Sequence, residues 1–126
     1  MRLTLVALVV VAGLAFGGCA TQRGYDGATR PPADLGVIEG APRVSAGLPL
    51  AAVIRKVDDR VVVLGYSKVA VVPGEHRVLV DCTMAATRVT TRHELKFEVY
   101  AGRRYLLVPE SAPGNRSCGA VRVDER

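Results

Sequence analysis

The chain has 126 residues, with seventeen Lys and Arg against twelve Asp and Glu, a size suited to one domain and a net charge of +5. The arginines are scattered rather than gathered into blocks. This describes a solvated surface, the other reading being a face for anionic headgroups or acidic polymers, and no nucleic-acid partner is expected.

Met1 and Arg2 make a short positive start, and Leu3 to Phe16 carry no charge and are almost wholly apolar. Gly17 and Gly18 follow, and then Cys19. A positive start, an apolar run and a small-residue exit predict a secretory signal over residues 1–18. The run is shorter than the roughly 20 residues that span a bilayer. Removing it leaves 108 residues and, since Arg2 is its only charge, a mature charge of +4. That length buries one small core with little margin.

The segment Phe16-Gly17-Gly18-Cys19 resembles a bacterial lipobox, with Phe where the pattern usually has Leu. The resemblance implies cleavage before Cys19 and lipidation of that cysteine, on its sulfur and on its new amino group. Two or three acyl chains anchor a protein stably, where one is marginal. Ala20 stands where an Asp commonly retains Gram-negative lipoproteins in the inner membrane. The chain therefore resembles the outer-membrane class, a lipid anchor on the periplasmic side.

Residues 20–34, ATQRGYDGATRPPAD, have no apolar periodicity, so 19–34 is predicted to be a lipidated flexible tether. Fully extended, it would reach at most about 50 Å.

From Leu35 the pattern has period 2, and 35–126 is predicted to be one β domain. Residues 35–39 read as a short strand, and 40–50, with two Gly and two Pro, as a loop. Residues 51–64 read as a hairpin about Asp58-Asp59, with Ala51, Val53 and Val57 on one side. Lys68 to Val72 form a strand, and Pro73-Gly74 a turn. Val78, Val80 and Cys82 are expected inward, with Arg77 and Asp81 outward. The 83–92 window is rich in branched Thr and Val and reads as loop and strand rather than helix. Leu95, Phe97, Val99 and Ala101 alternate with polar neighbours, and Gly102-Arg103 is a turn candidate. Arg104 to Val108 form a strand, 109–117 a loop, and Val121 and Val123 mark the last strand. The expected fold class is therefore all-β: a small antiparallel sandwich of about seven strands, after an N-terminal signal helix and the tether.

With Cys19 set apart, Cys82 and Cys118 are expected to form a disulfide, the other reading being two buried thiols. Closing a loop of 36 positions would add about 3–4 kcal/mol of stability. His76 and His93 read as surface histidines; two alone make a poor zinc site, and no metal or cofactor is expected. No serine sits in G-x-S-x-G or S-x-x-K, and no catalytic residue is assigned. Tyr100, predicted to point outward beside Arg103 and Arg104, is a candidate contact for an anionic glycan or another envelope protein.

The order Tyr25-Asp26-Gly27, Leu35 to Gly40, Val57-Asp58, Val72 to His76, then Phe97, Ala101-Gly102 and Tyr105 resembles a group of small proteobacterial lipoproteins of unknown function with a PEGA-like β-sandwich domain. The closest match is the run from Pro73 to Val80. The resemblance implies a fold and no activity. The expected role is a non-catalytic envelope lipoprotein, a structural or interaction module. The alternative is a binding lipoprotein that presents loops 40–50 and 109–117 to a defined ligand, a glycan or an inhibited enzyme.

Overall fold

The computed structural model describes residues 21–40, 42–45 and 48–126. The expected signal peptide, residues 1–18, and Cys19 lie outside the described residues.

The elements in chain order are β1 (Thr21–Arg23), a 3-10 turn (Pro32–Asp34), β2 (Gly36–Gly40), β3 (Pro42–Ser45), β4 (Leu48–Val57), β5 (Arg60–Val61), β6 (Lys68–Val71), β7 (Gly74–Met84), β8 (Val89–Val99), β9 (Arg104–Ser111) and β10 (Cys118–Glu125). They make two sheets, one ordered β1-β6-β2-β9-β10 and the other β3-β4-β7-β8, with β5 pairing to β4. The all-β sandwich read from the sequence is thus present, with ten strands among the described residues. The second sheet is antiparallel throughout, whereas the first includes the parallel pairs β1 with β6 and β2 with β9.

Alternation along the strands makes the core. Val78, Val80, Cys82 and Met84 of β7 are fully buried, and the first three share one core cluster with Ile38, Val69, Val71, Tyr105 and Leu107 of the other sheet. Each such side chain removed from water contributes about 1.5–3 kcal/mol. Cys82 and Cys118 are bonded, with Cα atoms 6.0 Å apart, so the disulfide ties β7 of one sheet to β10 of the other.

Several expectations are corrected by the structure. The first part of the stretch read as a tether, Thr21 to Tyr25, is packed onto the domain, while residues 26–34 are exposed. β1 pairs with β6, Gly24 N–H donates to Ala70 O at 2.8 Å, and Tyr25 is buried. A three-residue strand whose partner lies over forty positions away has no local signature. Residues 40–50 are not a loop, since β3 and the start of β4 form a hairpin there. Likewise the 109–117 loop is shorter, because β9 runs on to Ser111.

In β4 the inward residues are Leu50, Ala52, Ile54 and Val57, while Val53 is 36% exposed. The register shifts between Ile54 and Lys56, so a bulge at Arg55 resets the alternation and brings Val57 to the face that Ile54 occupies. The Pro73-Gly74 and Gly102 turns are present but do not close hairpins. β6 and β9 lie in the first sheet, β7 and β8 in the second, so both turns are corners between sheets. The second turn centres on Ala101-Gly102, with Arg103 N–H donating to Tyr100 O.

Candidate functional site

A polar concavity lies at the end of the sandwich where β4 turns into β5. Val57 pairs with Arg60, leaving Asp58 and Asp59 as the two-residue turn. Asp58 holds a left-handed backbone, φ 54°, which Asp tolerates better than most residues. Its carboxylate then reaches the start of β7. Oδ1 accepts the Arg77 backbone N–H at 3.1 Å, and Oδ2 lies 2.8 Å from His76 Nδ1. Burial works against ionising Asp58, but the Arg77 N–H and the His76 ring outweigh it and hold the carboxyl below its ordinary range.

His76 is 6% exposed, not a surface residue as the sequence reading had it. Position 76 is in phase with 78, 80 and 82, and that phase was the available signal for its burial. Its Nε2 faces the Val72 carbonyl oxygen at 2.6 Å, so both ring nitrogens face acceptors. The pair Asp58–His76 acts here as a clasp that holds the β4–β5 turn to the corner entering β7.

Two open clefts flank this clasp. One, of about 240 Å³, is lined by Asp58, Asp59, Glu75, His76, Arg77 and Lys96. The other, of about 640 Å³, runs to Tyr25, Asp26, Arg30 and Arg60. Among the described residues Tyr25 is the only one in either lining with a hydroxyl-bearing side chain. His93 pairs with Val80 and His76 with Phe97, a separation of four register positions or about 13 Å, too far to share an ion. Among the described residues no three His, Cys, Asp or Glu side chains cluster to hold a metal.

The predicted contact residues Tyr100, Arg103 and Arg104 come together at the corner between β8 and β9. Tyr100 is exposed, as expected. The two guanidinium groups are already paired, Arg103 with Glu125 at 3.7 Å and Arg104 with Glu39 at 2.7 Å. Glu39 also meets Lys68 at 2.9 Å. Burial raises its pKa, but the bonds from Lys68 and Arg104 prevail and the carboxyl lies below its ordinary range.

A further charge cluster crosses the outer face of the second sheet. Asp81, expected outward, does lie on that face, where it is buried. Arg92 Nε reaches Oδ1 and Arg55 Nε reaches Oδ2, each at 2.9 Å. The Arg92 hydrogen bond is the main reason its carboxyl is held low, burial opposes it, and Arg55 adds to it. The sequence reading missed this triplet because the partners come from three strands.

Comparisons with family models, with curated proteins and with solved structures return no match for this chain. What the fold and its bonds define is a disulfide-bonded all-β sandwich.

Proposed function

We propose that this chain is an exported, lipid-anchored and non-catalytic module of the cell envelope, held by Cys19 at the outer membrane on the periplasmic side of a Gram-negative cell. The Cys82–Cys118 bond is the observation that carries the reading. Disulfides persist in oxidising compartments outside the cytoplasm. The chain has three cysteines, so this bond leaves Cys19 as the only other one, at the end of the apolar signal where a lipobox needs it. The sandwich would then serve as a rigid body that presents a surface to another envelope protein or an anionic glycan, as the resemblance to PEGA-like lipoproteins suggests.

Metabolic labelling with palmitate, followed by membrane fractionation, tests this. The native chain is expected to take up label and to sediment with outer membranes, and Cys19→Ser to lose both. Label retained in Cys19→Ser, or native protein found soluble in the cytosol with its thiols free, would refute the reading.

The binding-lipoprotein alternative has one observation in its favour. The β3–β4 hairpin, the 85–88 turn and the 112–117 loop gather at one end of the domain. There Ala85 N–H donates to Pro49 O at 3.1 Å, and Thr87 Oγ1 donates to Arg116 O at 2.8 Å. A rigid scaffold presenting adjacent loops is a common way to bind a defined ligand. Crosslinking in native envelopes separates the two readings: one stoichiometric glycan or enzyme adduct at that end favours the alternative.

A further inference from the structure

Three of four consecutive residues after the β4–β5 turn expose large apolar side chains. Val61 is 63% exposed, Val63 58% and Leu64 82%, while Val62 between them is buried and pins the segment to the core. Leu64-Gly65 forms the tip of a tight turn. Tyr66 N–H donates to Val63 O at 3.2 Å, and Gly65 takes φ 97°, so Leu64 is held out toward solvent. Single exposed apolar residues are ordinary, but a contiguous rim of them marks a contact surface.

The location of the rim says what covers it. Gln22 in β1 holds the rim by both ends of its amide: Nε2 donates to Val61 O at 3.0 Å, and Val63 N–H donates to Oε1 at 2.7 Å. β1 is parallel to β6 with Thr21 opposite Lys68, so the chain enters β1 from the same end at which the 62–67 segment feeds β6. Cys19 is two residues before Thr21, a span of at most about 7 Å. Lys56, paired with Val61 in the β4–β5 ladder, is exposed beside the rim, while the adjoining Arg60 is ion-paired with Asp26. An apolar rim with an exposed lysine beside it suits an anionic lipid surface.

We propose that Val61, Val63 and Leu64 form a second membrane contact, which seats this edge of the sandwich on the lipid bilayer that holds Cys19. The inference rests on the lipid-anchor reading above. It replaces a domain standing off on a long tether with one lying against the membrane, because only Ala20 separates Cys19 from β1.

The test uses the full lipidated chain carrying Leu64→Cys, in which the new thiol is the only one free once Cys19 is acylated and Cys82 and Cys118 are bonded. The thiol is labelled with an environment-sensitive fluorophore, and the protein is reconstituted into phosphatidylethanolamine–phosphatidylglycerol vesicles. Glu98→Cys, on the outer face of the second sheet, is the reference, and Val61→Cys gives an independent reading of the same rim. The probes at 64 and 61 are expected to show blue-shifted emission and quenching by nitroxide-bearing lipids, and the probe at 98 neither. Emission at 64 and 61 matching that at 98, with mass spectrometry finding acyl chains on Cys19, would overturn the membrane contact and leave the anchor standing. Shielding without quenching by the lipid nitroxide would assign the rim to a protein, a second copy included, and overturn it as well. Absence of acyl chains on Cys19 would remove the anchor and this inference together.

Discussion

Replacing Cys82 and Cys118 together by Ala tests how much of the sandwich's stability is covalent. The bond closes a loop of 36 positions that contains the last residues of β7, the turn into β8, β8 itself, the corner into the other sheet, and β9. Loop-closure entropy for that length corresponds to about 4 kcal/mol lost when the cross-link is removed. Both sulfurs are buried, so the small void left behind adds about 1 kcal/mol. A total near 5 kcal/mol approaches the whole stability of many small domains. For a domain of about 100 residues it lowers Tm by about 20 °C. Thermal and urea unfolding followed by far-UV circular dichroism reads both Tm and m. The double variant is expected to lose stability by that amount and to gain in m, because its denatured state is no longer cross-linked. The native protein in reductant should behave like the variant. A Tm within a few degrees of native, with m unchanged, would refute the reasoning.

Other perturbations probe other parts of the fold. Gly40 sits where the chain crosses from the first sheet to the second, and a Cβ there would lie 2.4 Å from the Ala52 carbonyl oxygen. That neighbour is backbone, so Gly40→Ala is expected to cost at least about 1–3 kcal/mol in urea unfolding, and an unchanged midpoint would contradict the close approach. Asp81, Asp58 and Glu39 each have a folded pKa below the ordinary value, so each contributes stability in full above about pH 5. That stability is lost as pH falls through the lowered values. Asp81→Asn should accordingly flatten part of the fall in Tm between about pH 5 and about pH 2. An acid slope identical to native would remove Asp81 from that account.

Much of the fold was legible wherever a strand keeps strict alternation. Val78, Val80 and Cys82 in β7, Leu95 to Val99 in β8 and Val121 in β10 all face as their period predicts. The phase failed in β4, where one extra residue at Arg55 resets it and the local sequence gives no sign that a bulge is needed. Turn chemistry was readable at Pro73-Gly74 and at Gly102, but a turn does not say whether the next strand pairs with the last one or crosses to the opposite sheet. That choice is made by distant partners, as with β2, which lies between β6 and β9. The Asp58–His76 clasp was half readable: His76 was in the inward phase, while its partner comes from a different hairpin.

The direction of β1 has a mechanical consequence. Because it lies parallel to β6, a load applied at the Thr21 end runs along the strand axis. The evenly spaced bonds of a parallel ladder, extended by the Gly24 N–H to Ala70 O bond, then share the force and yield together in shear rather than opening one at a time like a zipper. Tension reaching the sandwich from its amino-terminal side is met first by a joint of that kind.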